Sequence, residues 1–316
     1  MAVYTRIERK DLEHLLAHYA IGELEDFQPI AAGITNTNYF VDTGLGRWVL
    51  TLFEDMTADE LPFFMTVMDH LAGHGLPVAH PVARNDGAFL SAVRARPAAL
   101  VHCLDGASVA QPCTAQCRSL GTVVAAMHHA VQTLHVRQRN SRDLAWIDSA
   151  ARRLDERLDA ATRTLLHEEI EHQRQLARSP DWQQLPQAVV HADMFRDNVL
   201  FGADRVTGVI DFYYACHEYL LFDLAVICND WCFDDATNFR PEHWQAFMHA
   251  YAQQHPLDDR AQRAWPGMLR AAALRFWASR LYDYHFPSDG EMIHVHDPQL
   301  YEQLLRHHRS NPPPLT

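Results

Sequence analysis

The sequence predicts an α+β fold of two lobes, with a small antiparallel β-sheet in the N-terminal lobe and a mainly helical C-terminal lobe. Up to Cys103, short runs of β-branched and apolar residues are separated by turn residues, as in a β-meander. After Asp105-Gly106 the apolar residues recur at helical spacing, apart from one strand-like segment at 188–212. We therefore expect an N-terminal lobe at 1–104 and a C-terminal lobe at 105–316.

In the N-terminal lobe the sequence predicts two helices and five strands. Apolar residues at helical spacing predict a short amphipathic helix at 10–20, which we expect to pack against the strands of the same lobe. A second helix at 57–73 begins with a Thr-x-x-Glu pattern and ends at a glycine. The predicted strands, with turn residues between them, are 27–30, 37–42, 47–53, 89–93 and 98–103.

In the C-terminal lobe, apolar periodicity predicts helices at 113–133, 143–178, 221–233, 241–254 and 261–283. The strand segment lies between the second and the third of them. The last residues, 310–316, are rich in proline, and we expect a disordered tail there. Six cysteines lie mostly among apolar residues, which favours free thiols over a disulfide framework or a zinc site.

A polar loop between two short apolar runs carries the most informative residues of the chain. It begins at His191-Ala192-Asp193 and includes Asn198, and a later apolar run ends at Asp211. Phosphoryl transfer needs a carboxylate to orient the attacking hydroxyl and oxygen ligands to hold Mg²⁺ against nucleotide phosphates. Taken singly, a buried histidine or a loop-capping aspartate is ordinary. The joint spacing favours kinase chemistry, with Asp193 as the base and Asn198 and Asp211 as Mg²⁺ ligands.

The composition argues against some classes of partner. The chain has 316 residues, 48% of them apolar, and a formal net charge of −13 without a run of basic residues. Nucleic acid and anionic membranes both require clustered lysine and arginine, so neither is expected as the main partner. No stretch approaches the roughly 18 apolar residues of a membrane span, and the first ten residues lack the apolar part of a signal peptide. We expect a cytoplasmic protein that binds a small molecule.

The segment 32–38, between the first two strands, can fold its backbone N–H groups over ATP phosphates, although it has one glycine and a plain polar hairpin is the alternative. Lys10 is the only lysine, so no strand lysine holds the α- and β-phosphates. Either Mg²⁺, backbone amides and an arginine such as Arg196 carry the phosphate charge, or the chain is a nucleotide-binding relic without activity. The candidate cofactor-binding residues are Gly33, Thr35, Asn36, Thr37, Asn38 and, in place of the strand lysine, Thr51.

Six stretches spread over nearly the whole chain resemble one known group of enzymes. They are Gly33 to Val41, Trp48 to Glu54, His191 to Phe201, Ile210 to Tyr213, Asn229 to Cys232 and Arg275 to Leu281. Together they resemble the aminoglycoside/choline kinase-like superfamily. The last two stretches, with threonine in place of the usual strand lysine, resemble in particular the bacterial homoserine kinases of the non-GHMP type.

The resemblance implies a protein kinase-like two-lobed fold that uses ATP and Mg²⁺. It gives the role of base to Asp193 and the role of metal ligand to Asn198 and Asp211, and it places the loop 33–38 over the phosphates. Asp223 resembles the helix-start aspartate of the superfamily, which we interpret as an N-cap that also braces the catalytic loop. The implied reaction is phosphorylation of L-homoserine to O-phospho-L-homoserine, which supplies threonine synthesis.

L-Homoserine carries an ammonium and a carboxylate besides its hydroxyl, so its site needs an acidic group and a bidentate cation. We expect Asp230, next to Trp231, and either Arg275 or Arg280 to supply these charges. The two arginines are five residues apart on one predicted helix, so at most one should reach the site. Arg196 can serve the γ-phosphate as a catalytic residue or bind the substrate carboxylate.

The sequence leaves three alternatives open. The aromatic residues near these charges can be core residues, with the charges forming an interhelical ion pair. A kinase of the same fold can act on another small hydroxyl compound, such as an amino alcohol or an aminoglycoside. The missing strand lysine also allows a catalytically silent regulator that binds nucleotides.

Overall fold

The computed structural model describes residues 5–30, 36–287 and 297–316. Within these ranges the chain forms two compact units, unit 1 up to Asp105 and unit 2 from Gly106 onward. Unit 1 carries a five-stranded antiparallel sheet, and unit 2 is mainly helical. The predicted α+β class with a sheet lobe and a helical lobe is confirmed. The assignment of nucleotide binding to 1–104 and of catalysis to 105–316 remains a prediction.

Unit 1 contains two helices and one sheet. The helices are α1 (Arg9–Leu16) and α2 (Leu61–Gly73), and the strands are β1 (Leu24–Pro29), β2 (Thr37–Thr43), β3 (Gly46–Leu52), β4 (Leu90–Val93) and β5 (Arg96–His102). The sheet order is β1-β2-β3-β5-β4, and every neighbouring pair is antiparallel. The predicted meander is therefore present, with β4 at one edge.

The core of unit 1 lies between the sheet and α1. Alternate residues of β2 are buried, because successive side chains of a strand point to opposite faces. Val41 of β2 and Leu50 of β3 are fully buried in one cluster with three leucines of α1. The expected packing of the first helix is confirmed.

α2 begins four residues after the position predicted from the Thr-x-x-Glu pattern. The carboxylate of Glu60 accepts hydrogen bonds from the backbone N–H and the hydroxyl of Thr57, both at 2.8 Å. The pattern therefore closes a turn that precedes the helix. Pro62 comes next in the first helical turn, where a missing N–H group costs no hydrogen bond.

Unit 2 contains eight helices and two small antiparallel ladders among the residues that the structure describes. The helices are α3 (Thr114–Ala130), α4 (Leu144–Leu154), α5 (Ala160–Ala177), α6 (Pro180–Gln183), α7 (Leu220–Trp231), α8 (Pro241–Ala252), α9 (Asp259–His285) and α10 (Gln299–Ser310). The strands are β6 (Gln187–Val190), β7 (Val199–Gly202), β8 (Arg205–Val209) and β9 (Cys216–Tyr219), paired as β6 with β9 and β7 with β8. In the described part of the chain, no helix combines the length and apolarity needed to cross a membrane.

The prediction of one helix over 143–178 is wrong, because α4 ends at Leu154 and a separate helix, α5, begins at Ala160. Asp159 caps α5, and its carboxylate accepts the backbone N–H groups of Ala161 (2.9 Å) and Thr162 (3.0 Å). An N-cap aspartate satisfies N–H groups that a helix start leaves unpaired, so it favours a new helix at this point. The helix α10 was not predicted.

The prediction of a disordered tail at 310–316 is also wrong. The indole N–H of Trp265 donates to the carbonyl of Pro313 (3.0 Å), and that of Trp244 donates to the carbonyls of Pro314 (3.0 Å) and Leu315 (3.1 Å). Buried indoles need an acceptor, and the carbonyls of this tail provide it. The tail therefore covers the two tryptophans, and Leu315 is 4% exposed.

The helices α3 and α8 approach each other closely at Gly121. A Cβ atom at this position would overlap the backbone carbonyl of Phe247 on α8. A backbone carbonyl cannot move aside as the end of a flexible side chain can. The close contact of the two helices therefore requires glycine at position 121.

We expect Gly121→Ala to lower the free energy of unfolding by about 1–3 kcal/mol, because the methyl group overpacks the α3–α8 contact. Gly73→Ala is the matched control, since Gly73 is also helical and a Cβ there meets nothing within 4 Å. The control should be neutral or stabilising by up to about 1 kcal/mol. Urea denaturation of both variants measures the difference, and equal effects would contradict the packing argument.

Candidate active site

The loop that carries Asp193 is fixed by Asp223, a residue of α7. Strand β6 ends at Val190, and the next two backbone N–H groups, of His191 and Ala192, donate to the Asp223 carboxylate at 2.9 and 2.7 Å. Ala192 has a φ of +64°, a left-handed conformation that L residues rarely adopt. The two hydrogen bonds hold the chain in this conformation just before Asp193.

Asp223 is itself held by a buried histidine and a buried tyrosine. His128 Nε2 lies 3.2 Å from the Asp223 carboxylate, and His128 Nδ1 lies 2.9 Å from the Tyr251 hydroxyl. Burial alone would raise the pKa of Asp223, but the hydrogen bond with His128 and the nearby histidines and N–H groups outweigh it, so this pKa lies below its ordinary value. The expectation that Asp223 braces the loop is confirmed. It is not an N-cap, because α7 begins at Leu220.

Asn198 lies against Asp193 at the other end of the loop. Its side-chain amide donates to the backbone carbonyl of Asp193 (2.8 Å) and to its carboxylate (3.2 Å). The backbone N–H of Ile210 donates to the carbonyl of Asn198 (3.0 Å), which connects the loop to the residue before Asp211. The structure thus brings Asp193 and Asn198 into contact and places the Asp211 segment beside them.

Asp211 comes after β8 in a left-handed conformation, with φ +61° and ψ +58°. The ring Nε2 of His191, a residue of the catalytic loop, is hydrogen-bonded to the carbonyl of Ile210 at 2.9 Å and so holds the turn at Asp211 in place. Aspartate tolerates the left-handed region better than most residues, and strained backbone of this kind is frequent at functional sites. The strain is an observation about Asp211 that the sequence did not reveal.

The candidate site holds the carboxylates of Asp193 and Asp211, and both carboxylates have raised pKa values. Burial raises the pKa of Asp193 to about 7; Arg275 opposes this rise and the charge of Asp211 adds to it. Burial and the charge of Asp197 raise the pKa of Asp211 to about 6. The two carboxylates and the side-chain oxygen of Asn198 are oxygen donors of the kind that a hard divalent cation takes as ligands. The arrangement can therefore accept a proton at Asp193 and hold a metal at Asp211 and Asn198.

Arg275 of α9 lies next to the predicted base. Its guanidinium is 3.7 Å from the Asp193 carboxylate and 4.8 Å from the Tyr214 ring centroid, and the residue is 6% exposed. A buried cation at this distance favours the ionised form of Asp193. Arg275 thus lowers the pKa of Asp193 and opposes the effect of burial on it.

Arg196 and Asp230, predicted for the γ-phosphate and for the substrate ammonium, pair with each other. The Asp230 carboxylate accepts the backbone N–H (2.8 Å), Nε (3.2 Å) and Nη2 (3.3 Å) of Arg196. Burial raises the pKa of Asp230 although Arg196 opposes the rise. The structure therefore pairs Asp230 with the catalytic loop, and gives it no ion pair with Arg275 or Arg280 in the described residues. The roles of both residues toward ligands remain predictions.

Trp231 and Arg280 have different surroundings. Trp231 is 2% exposed, and its indole N–H donates to the carbonyl of Met194 at 2.9 Å, so it holds the catalytic loop in place at Met194. Arg280 lies 4.4 Å above the ring centroid of Tyr301, a residue of α10. His128, Tyr251 and Tyr301 were not singled out from the sequence. A spacing of buried residues at 301, 304, 305 and 308 could have revealed α10, but not what its tyrosine contacts.

Four of the predicted nucleotide-binding residues, Asn36, Thr37, Asn38 and Thr51, lie in the described part of unit 1. Gly33 and Thr35 fall outside the described residues, and Asn36 precedes β2. Thr51 pairs with Asn38 across β2 and β3, and its hydroxyl donates to the Asn38 side chain at 2.8 Å. The hydroxyl of Thr37 donates to Glu54 at 2.7 Å. The strand position of Thr51 is therefore occupied by a neutral hydrogen-bonded pair.

Comparisons with known proteins give a family and a fold. The model of the phosphotransferase enzyme family matches residues 26–264. The homoserine kinase of Methylobacillus flagellatus is 45% identical over 307 residues, which are 97% of this chain and 95% of that protein. The homoserine kinase of Burkholderia multivorans is 41% identical over 324 residues, covering 100% and 98% of the two chains.

Solved structures with low sequence identity share the fold. An amicoumacin kinase in complex with AMP-PNP and Ca²⁺ has a TM-score of 0.73 at 16% identity and covers 98% of this chain and 95% of its own. A microcompartment-associated aminopropanol kinase has a TM-score of 0.62 at 16% identity, with 96% and 94% covered. At this identity the likeness shows the fold alone.

We expect Asp223→Asn to lower the free energy of unfolding by about 2–4 kcal/mol, because an amide N–H₂ would face a backbone N–H donor in a buried site. Asp159→Asn is the control, since Asp159 also accepts two backbone N–H groups at a helix start but is exposed. Asparagine caps helices as well as aspartate does, so this variant should be neutral. Chemical denaturation compares them, and a neutral Asp223→Asn would refute the bracing role.

We expect Asp193→Asn to stabilise the metal-free protein at high pH. The pKa of Asp193 is about 7 in the folded protein and 3.8 ordinarily, so the folded state loses stability as the pH rises from 3.8 through 7. Asparagine mimics the protonated side chain and should add about 1–3 kcal/mol at pH 8, and less than half of that at pH 5. Urea denaturation with EDTA at both pH values tests this. The exposed Asp204→Asn is the control, and a pH-independent gain for Asp193→Asn would count against the buried charge.

Proposed function

The chain belongs to the phosphotransferase enzyme family and to the homoserine kinases within it, and from this membership we propose that it phosphorylates L-homoserine on its side-chain hydroxyl. The product is O-phospho-L-homoserine. The observation that carries the substrate is identity of 41–45% to curated homoserine kinases over nearly the full length. The shared fold could not supply it, because structures with this fold include an amicoumacin kinase and an aminopropanol kinase.

The phosphoryl donor is proposed to be ATP with Mg²⁺. Membership of a kinase family supports ATP, and a neighbour of the same fold was solved with AMP-PNP and Ca²⁺. The side-chain oxygens of Asn198 and Asp211 fit a hard cation, because both are oxygen donors and burial raises the pKa of Asp211 to about 6. When bound there, Mg²⁺ would neutralise the phosphate oxygens during transfer.

In the proposed reaction Asp193 accepts the proton of the homoserine hydroxyl. The hydroxyl oxygen forms a bond to the γ-phosphorus while the bond from that phosphorus to the β–γ bridging oxygen breaks, which leaves ADP. A pKa of about 7 suits a general base at neutral pH. Arg275, 3.7 Å from this carboxylate, favours the ionised form of Asp193 and adds positive charge next to the reacting atoms.

The nucleotide phosphates are proposed to bind the loop 33–38 by its backbone N–H groups. The only lysine, Lys10, lies exposed on α1 and pairs with Glu8 at 2.8 Å, so it does not replace the strand lysine. Thr51, hydrogen-bonded to Asn38, would hold the strands in place below the nucleotide. The negative charge of the phosphates is then balanced by Mg²⁺, by backbone amides and by an arginine such as Arg196 of the catalytic loop.

The proposed pathway role is the supply of O-phospho-L-homoserine to threonine biosynthesis, in the cytoplasm. The proposed partner is the small-molecule substrate. The two rival functions are a kinase of another amino alcohol or an aminoglycoside, and a silent nucleotide-binding regulator. They differ from the proposal in the substrate turned over and in turnover itself.

Coupled ADP release with Mg-ATP tests the function. L-Homoserine should be turned over in preference to L-serine, L-threonine, choline and kanamycin. Asp193→Asn should lower kcat by about 100-fold or more, because it removes the base. Asp197→Asn removes the same charge from an exposed position of the same loop and should retain kcat within about tenfold.

Preference for choline or kanamycin would favour the first rival. Absence of turnover with every substrate, together with ATP binding, would favour the silent regulator. Full activity of Asp193→Asn with homoserine would leave the reaction standing and refute the role of the base.

A further inference from the structure

Three arginines of unit 2 are candidates for binding a substrate carboxylate, and two of them, Arg196 and Arg275, already have acidic partners. Arg196 donates three hydrogen bonds to Asp230 and a fourth to the carbonyl of Ala110 at 2.7 Å. Arg275 is buried and lies 3.7 Å from the Asp193 carboxylate. The Nε, Nη1 and Nη2 atoms of Arg196 are all engaged in hydrogen bonds, and the charge of Arg275 acts on Asp193.

Arg280 differs from both. It is partly exposed, and it forms no salt bridge with a carboxylate of the described residues. Its guanidinium lies on the ring of Tyr301, with Cζ 4.4 Å from the ring centroid. A guanidinium stacked on an aromatic face has its N–H groups free along the edge, which is the geometry that binds a carboxylate through two parallel hydrogen bonds.

Tyr301 connects Arg280 to the catalytic loop. The tyrosine is 2% exposed, and its ring packs on the rings of Phe276 (5.4 Å) and Phe195 (6.4 Å). Phe195 is two residues after Asp193 on the loop. Burial, followed by the charge of Asp230, raises the pKa of Tyr301, and Arg280, Asp193 and Arg275 also act on it. Through the ring of Phe195 the stacked pair therefore contacts the loop that carries the base.

We propose that Arg280 binds the α-carboxylate of the substrate and that Tyr301 is the positioning residue that holds the Arg280 guanidinium for this contact. The proposal rests on the proposed function and names the specificity determinant of that site. It assigns different tasks to two arginines of one helix, Arg275 to the base and Arg280 to the substrate. Without Arg280, the enzyme should phosphorylate amino alcohols that lack a carboxylate with nearly the same kcat/KM as homoserine.

The test compares L-homoserine with 3-amino-1-propanol, which has the same ammonium and hydroxyl but no carboxylate. For the wild-type protein kcat/KM should be much higher with homoserine. Arg280→Gln should raise KM for homoserine about 10- to 100-fold, the loss expected for a hydrogen-bonded charge pair, with KM for ATP unchanged. Its kcat/KM for 3-amino-1-propanol should stay within about threefold of wild type, which also shows that the variant is folded.

Three further variants separate positioning from binding. Tyr301→Phe keeps the aromatic face and should retain the wild-type preference, whereas Tyr301→Leu should lose part of it through KM for homoserine. Arg275→Gln should lower kcat for both substrates without changing their ratio. Arg263→Gln, on the same helix but paired with Asp181 at the protein surface, should change neither value.

The outcomes separate the two proposals. Homoserine turnover by wild type with an unchanged substrate ratio in Arg280→Gln overturns the assignment of Arg280 alone. Loss of the ratio in Arg275→Gln with Arg280→Gln unaffected gives the carboxylate to Arg275 and also overturns it. Absence of homoserine turnover by wild type overturns the proposed function and this inference with it. If Arg280→Gln does not fold, Arg280→Lys keeps the charge without the planar fork and should show an intermediate rise in KM.

Discussion

The buried carboxylate of Asp223 is the contact on which the candidate active site depends. It accepts two consecutive backbone N–H groups immediately before Asp193, at the point where Ala192 is left-handed. His128 of α3 and Tyr251 of α8 hold this carboxylate in turn. The loop contains little regular secondary structure, so packing of three helices, more than the loop sequence, sets where Asp193 lies.

The local patterns of the sequence predicted the sheet and most helices. The spacing of Asp193, Asn198 and Asp211 predicted that these residues lie at one site. These patterns did not predict what depends on distant residues. His128 lies 95 residues before Asp223, and nothing in the sequence near either one indicates the contact. Proline-rich composition suggested disorder at 310–316, but two tryptophans far along the chain provide donors that order it. The pairing of Arg196 with Asp230 likewise arises from tertiary packing.

The charged groups of the candidate site are three carboxylates, those of Asp193, Asp211 and Asp230, and the guanidinium groups of Arg275 and Arg196. Burial raises the pKa of Asp193, Asp211 and Asp230 together, so the folded protein holds three carboxylates where ionisation is costly. Arg275 and Arg196 each offset one of them. In the proposed function, the remaining negative charge favours binding of Mg²⁺ and of the substrate ammonium, and Arg280 binds the substrate carboxylate.

The tail that covers Trp244 and Trp265 has a consequence for biosynthesis. Its acceptors lie 70 and 48 residues later in the chain, so both tryptophans are synthesised before their hydrogen-bond partners. Until then the two indole N–H groups lack the acceptors that they have in the folded protein. The residues after α10 supply these acceptors, so the hydrogen bonds of both tryptophans form only when the last residues have been synthesised.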